Sequence, residues 1–252
     1  MLRKILRRTF WDTYDHIGLL LLGGLLWTAL VLPAAALYLY LLPLWRGRIH
    51  PLIPALVPGV PLLVLACAAW GGLLHFAGLL VEGKDASPAD VFRGMRRYWL
   101  TATALAACSA VVLVGLLFNL WFYMTKVVFH PMVRMLLAGV SFWITVLFVG
   151  GQAFVVPLSV WRGYSFGETA KKAAGLTMDN PGLAFFCFAV FLLYGLAAAG
   201  TRLFAVPVLV GPLAIFLAVT VRVLGERYGE KSLPEETQRG LKDIIRPWDM
   251  KD

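Results

Sequence analysis

Few residues in this chain combine the type and the spacing that chemistry requires. A strongly polar group inside a membrane-length apolar segment is expensive, so such groups are the first places to look for a site. Three qualify here: His75, Asn119 and Gln152. A histidine can relay a proton or bind a polar solute, and His75 precedes Glu82 by two helical turns on roughly one face. Beside Gly71, Gly72 and Gly78 it can instead donate a single hydrogen bond to a closely packed neighbouring helix, and that structural role is the expectation. Gln152, next to Gly150 and Gly151, reads the same way. Asn119 falls near the end of its segment, within reach of water.

Other signatures are near misses. Asp12, Asp15 and His16 sit together where the chain enters its first apolar stretch, but a metal or proton site would need a further group from elsewhere. They are expected to orient the first span in the headgroup layer. Gly78-Leu-Leu-Val-Glu-Gly83-Lys84 has the spacing of a phosphate loop, yet Asp85 stands where a Ser or Thr should hold magnesium. Its first half is also the end of an apolar span rather than a strand. Cys67, Cys108 and Cys187 lie in separate apolar segments without CxxC or His partners, which indicates neither zinc nor disulfides. No HExxH, GxSxG or GxGxxG motif occurs. No catalytic residue, metal or cofactor is expected, and the chain does not read as an enzyme.

The elements that must carry these residues follow from composition. Of 252 residues, 60% are hydrophobic and 15% charged, and the mean hydropathy is +0.78. A water-soluble domain of this size lacks the interior to hide so much apolar surface. Six stretches reach the roughly 20 apolar residues a crossing helix needs: 17–45, 60–81, 100–124, 135–161, 182–200 and 203–221. Pro33 and Pro43 should bend the first. Unbroken runs such as Val111 to Phe118 do not alternate, which excludes a β-barrel. Trp11, Trp45, Tyr98, Trp99 and Trp161 mark interfaces, while Trp27, Trp70, Trp121 and Trp143 fall deeper and read as packing aromatics.

All but five of the 23 Lys and Arg fall before the first span, in the loops after the second and fourth, or in the tail. The exceptions are Arg46, Arg48, Lys126, Arg134 and Arg202. The positive-inside rule therefore places both termini in the cytoplasm. The net charge of +9 then serves topology and contact with anionic lipid at the inner face, not nucleic acid. A basic start followed by an apolar run and Ala34-Ala35-Ala36 has the outline of a cleaved signal peptide, but the run continues to Trp45 and cleavage is not expected.

Two basic loops share a pattern: a Gly breaker, then Ser-x-x-acid, in Gly83 to Asp90 and again in Gly163 to Glu168. The first predicts an amphipathic elbow helix with Val91, Phe92, Met95 and Trp99 as its apolar stripe and Arg93, Arg96 and Arg97 beside it. The second predicts a helix over Ala170 to Leu176 carrying Lys171 and Lys172 and ending at Asp179-Asn180-Pro181. These five cations are the candidate inner-face contacts for a partner or lipid. Ser232-Leu-Pro-Glu235 opens a further short helix in the tail, with Leu241, Ile244, Ile245 and Trp248 as its apolar contacts.

The aromatic-Asp start, the stretch Pro33 to Tyr38, the elbow Gly83 to Trp99 and Asn180-Pro181 resemble the YesL-like bacterial membrane proteins. That family has no established activity and no functional residues to carry over. Its frequent encoding beside carbohydrate ABC-transporter components implies an accessory role. The expectation is an all-α bundle of six transmembrane helices with short amphipathic cytoplasmic elbows, a single membrane domain over 1–223 and a charged tail over 224–252. Its expected role is that of a non-enzymatic bacterial inner-membrane subunit that contacts a membrane protein partner or its own copies. The alternative is a transporter or channel for a small uncharged solute using His75 and Gln152. A membrane enzyme, third, would have only Asp12, Asp15 and Glu82 as a handle.

Overall fold

A computed structural model describes residues 1–45, 59–125, 130–201 and 206–229. These form eight helices and, among the described residues, no strand. They are α1 (Leu2–Asp15), α2 (Ile17–Trp45), α3 (Gly59–Val81), α4 (Ala89–Thr125), α5 (Pro131–Arg162), α6 (Phe166–Asp179), α7 (Pro181–Gly200) and α8 (Val206–Arg227). All but α1 and α6 are long and apolar enough to cross a bilayer. The chain is thus a multi-pass, all-α membrane protein.

Local chemistry sets the helix ends. Pro131 and Pro181 open α5 and α7 at positions where a missing N–H costs nothing. His130 Nδ1 accepts a hydrogen bond from the Met132 amide at 3.4 Å, capping α5. At its other end Gly163 adopts a left-handed φ of 62° and returns its N–H to the Ser159 carbonyl at 3.1 Å. Ser165 and Glu168 form the capping box that starts α6. α2 runs as one helix through Pro33 and Pro43.

α3 and α8 are the centre of the bundle. In each, 61% of the most apolar window is buried, against 22% or less in the other spans. α2 packs on both, α4 on α3, α5 on α4, and α7 on α5. Close approach depends on missing side chains. Gly72 of α3 lies against the backbone of Val91 in α4, and a Cβ on Gly94 would stand 2.7 Å from that of His75 and 2.8 Å from the Gly72 Cα. Gly150 of α5 similarly lies on the Ala184 carbonyl of α7. Leu73, Phe76, Phe154, Ile215, Val219 and Leu224 fill the space these contacts enclose.

The core is lopsided. Buried residues of α4 end at Leu105, those of α7 end at Cys187, and those of α5 begin at Ser141. All of this lies toward the end of the bundle where the chain starts, called here the basic end. The far parts of α4 and α5 leave Phe118, Trp121, Phe122, Met135, Leu136, Phe142 and Trp143 exposed.

Two elements differ from expectation. The elbow after α3 is no separate surface helix, because α4 runs unbroken for 37 residues, about 55 Å at 1.5 Å per residue. Its first turns bury Asp90, Val91, Gly94 and Tyr98 against α3, so the stripe divides and only Phe92 and Trp99 remain exposed. The second difference is α1, a helix over Leu2–Asp15 where the sequence reads only as a basic start. It buries Ile5, Arg8 and Trp11 and packs along α8.

Candidate functional site

The chemistry-bearing side chains gather at the basic end. α3 finishes at Val81, and a turn through Gly83 at φ 67° brings Glu82 and Lys84 onto one another at 2.5 Å. The second oxygen of the Glu82 carboxylate pairs with the Arg222 guanidinium, reaching from α8. Both partners are only 21% exposed, so the pair is shielded from bulk water and salt. Arg222 also stands 6.0 Å over the ring of Trp161 from α5. That indole packs on Gly78, where any Cβ would overlap it, and its Nε1 is buried without a hydrogen-bond partner. Three spans thus converge on one ion pair and one aromatic ring.

α1 adds a second charged layer. Lys4 Nζ meets Glu226 Oε2 at 2.5 Å, tying the start of α1 to the end of α8. Arg8 is 6% exposed, with Nε 3.5 Å from Asp12 Oδ2 one turn on. A third group closes the corner of α6, α7 and α8. Asn180 donates to the Leu176 carbonyl at 3.2 Å and to the Tyr228 hydroxyl at 3.1 Å, and accepts from Arg227 at 2.8 Å. Tyr228 in turn donates to Asp179 at 3.4 Å. Beside this network lies a cavity of about 260 Å3 edged by Arg162, Tyr164, Lys172 and Asp179. On α6, hydrogen bonds from the Ser165 hydroxyl and then its amide hold the Glu168 carboxyl below the usual glutamate range, with Lys172 adding to the effect.

The sequence-predicted polar residues do not share a site. His75 lies on α3 with its ring 5.7 Å from that of Tyr98, packed beside Gly94 of α4. Gln152 faces a groove between α4, α5 and α6 that His75 does not line, and its Nε2 donates back to the Phe148 carbonyl at 3.3 Å. Asn119 is exposed on the far part of α4. Glu82 turns to Arg222 and Lys84, and Asp12 to Arg8. Among the described residues, no three His, Cys, Asp or Glu converge to hold a metal.

The five basic candidates are all exposed. Arg93 Nη1 pairs with Asp90 at 2.6 Å, where Asp90 also accepts from the Ser87 amide at 2.8 Å. Arg97 lies 5.4 Å from the Tyr98 ring centroid, and Lys172 sits 3.7 Å over that of Tyr164. Arg96 on α4 and Lys171 on α6 project from the same end. Arg46, Arg48, Lys126, Arg202 and the tail helix expected from Ser232 lie outside the described residues.

Sequence reasoning missed the Glu82–Arg222–Trp161 group. By spacing, Glu82 belongs with His75, Arg222 falls among the basic residues that follow the last span, and Trp161 marks an interface. Only the packing of α3 and α5 on α8 brings them together, and no local spacing encodes that. The fold defines a class, the polytopic helical membrane protein. No protein-family model, no curated protein and no solved structure matches the chain.

Proposed function

We propose that this protein is a non-enzymatic subunit of the bacterial inner membrane that acts by binding a membrane-embedded partner, in keeping with an accessory role in a transport system. Its basic end, where α1 starts and α8 finishes, faces the cytoplasm. The observation that carries the reading is the lopsided core. A transporter's site lies near the bilayer midplane, between packed helices. Among the described residues, α4, α5 and α7 bury side chains only toward the basic end, and their far parts present aromatic and aliphatic faces at membrane depth, for lipid or another helix to cover. Such faces suit helix packing against another membrane protein or a second copy of the chain.

The basic end supports the same reading. Its carboxylates Glu82, Asp12 and Asp90 each engage a cation, a stabilising arrangement rather than one of poised acids and bases. Arg96, Arg97, Lys171 and Lys172 remain on the surface beside the paired Arg93, within reach of anionic lipid or an acidic partner surface. The YesL-like resemblance points to a carbohydrate uptake system as the assembly served. Affinity purification from native membranes in mild detergent, after brief crosslinking, tests this. The expected result is near-stoichiometric recovery of one membrane complex or of a defined homo-oligomer. Recovery of monomer alone, with solute flux in proteoliposomes that is lost in His75→Ala or Gln152→Ala, would replace the proposal with a transporter.

A further inference from the structure

The groove that Gln152 faces has the dimensions of a lipid site. It is a cleft of about 310 Å3 between α4, α5 and α6, walled by residues such as Leu105, Val112, Leu147, Val155, Ala174 and Met178. Of the polar side chains that reach it, Ser109 adds a hydroxyl, and two donate to their own helices. Gln152 donates to the Phe148 carbonyl at 3.3 Å, and Thr177 to the Ala173 carbonyl at 2.7 Å. The rest of the wall is apolar, so an alkyl chain would enter it at little cost. From Ile144 to Val155 the α5 wall rises about 16 Å, roughly half of a 30 Å hydrocarbon core. The groove is one leaflet deep.

Its interfacial mouth is marked by charge. Phe166, Ala170, Ala174 and Met178 of α6 line it, and Lys171 shares a helical face with Ala174 and Met178. Across the mouth, Arg97 precedes groove-lining Cys108 of α4 by three turns on nearly the same face. Both cations are exposed. An apolar trough one leaflet deep, with an exposed cation beyond it on each of two flanking helices, matches an anionic phospholipid. We propose that one acyl chain of such a lipid occupies this groove, with its phosphate held by Lys171 and Arg97. The site does not depend on the partner proposed above.

Native mass spectrometry of the delipidated full-length protein, titrated with phosphatidylglycerol and separately with phosphatidylcholine, reads the site directly. The expected result is one phosphatidylglycerol retained with a roughly tenfold or greater preference, the scale of one to two cations near a headgroup. Combined Arg97→Glu and Lys171→Glu, both on the surface, should abolish the preference. Ala174→Trp, which fills the groove, should lower retention of both lipids, while Val114→Trp on the exposed face of α4 should change neither. Equal retention of the two lipids by the wild type, or an undiminished preference in the double charge variant, overturns the proposal. Should Ala174→Trp fail to fold, the two surface charge changes decide the matter alone.

Discussion

At the residue scale, the informative positions are those where two spans touch through an absent or a charged side chain. Gly94 and Gly115 lie on the same helix, yet a Cβ at Gly94 meets α3 at 2.7 Å and one at Gly115 meets nothing within 4 Å. Gly94→Ala should therefore cost about 1–3 kcal/mol through overpacking. Gly115→Ala should be neutral or stabilising by up to about 1 kcal/mol, since it gains helix propensity without a clash. Thermal unfolding in detergent separates the two. At the other contact, Arg222→Gln leaves the Glu82 carboxylate short of its interhelical partner in a shielded position. A loss of roughly 1–3 kcal/mol is expected, below the range for fully buried pairs because both groups retain some water. Glu82→Gln should cost a similar amount, and the double variant less than the sum. Strict additivity in that cycle would show that the pair contributes no coupling.

Elements divide into those whose cause is local and those whose cause is tertiary. The spans were legible because length and hydropathy are local properties of the chain, and α6 because Ser165 and Glu168 carry a start signal of their own. The start of α1 was not legible. Its buried face includes Arg8, set beside Asp12 on a helix that packs along α8, a placement that a basic start read at the headgroup layer does not announce. The unbroken α4 was missed for a related reason: the Ser87–Asp90 cap was recognised, but nothing local shows that Gly94 and Tyr98 would dock on α3. The capping of α6 has a consequence in pH. Because the Glu168 carboxyl is held below its ordinary range, the stability it lends is present above the unfolded carboxylate pKa and is lost as pH falls through the depressed folded value. Hydrogen exchange of the α6 amides should thus lose protection on acidification in the wild type. Glu168→Gln should show weaker protection at neutral pH and little further acid dependence. An identical acid response in the two proteins would remove Glu168 from the account.

Considered whole, the molecule has a packed basic end and an open far end. Hydropathy announced six crossings, but it could not say that the crossings would be unequally buried, because every span is apolar on nearly all sides. The same limit hid the site. His75, Gln152 and Asn119 were selected for being polar in apolar surroundings, and they occupy three separate environments. The charged cluster at the basic end is assembled from residues 140 positions apart along the chain, Glu82 and Arg222. Among the described residues, what remains exposed is a set of cations at one end, where the lipid site is proposed, and aromatic faces at the other, where a protein partner is expected. Position-specific photocrosslinking in living cells tests that claim most directly, with the crosslinker placed in turn at Arg96, Lys171, Phe118 and Met135. The far-face positions Phe118 and Met135 are expected to give discrete protein adducts, either to one other membrane protein or to a second copy of the chain. Adducts to lipid alone at both positions, in cells where the protein is folded and inserted, would contradict it.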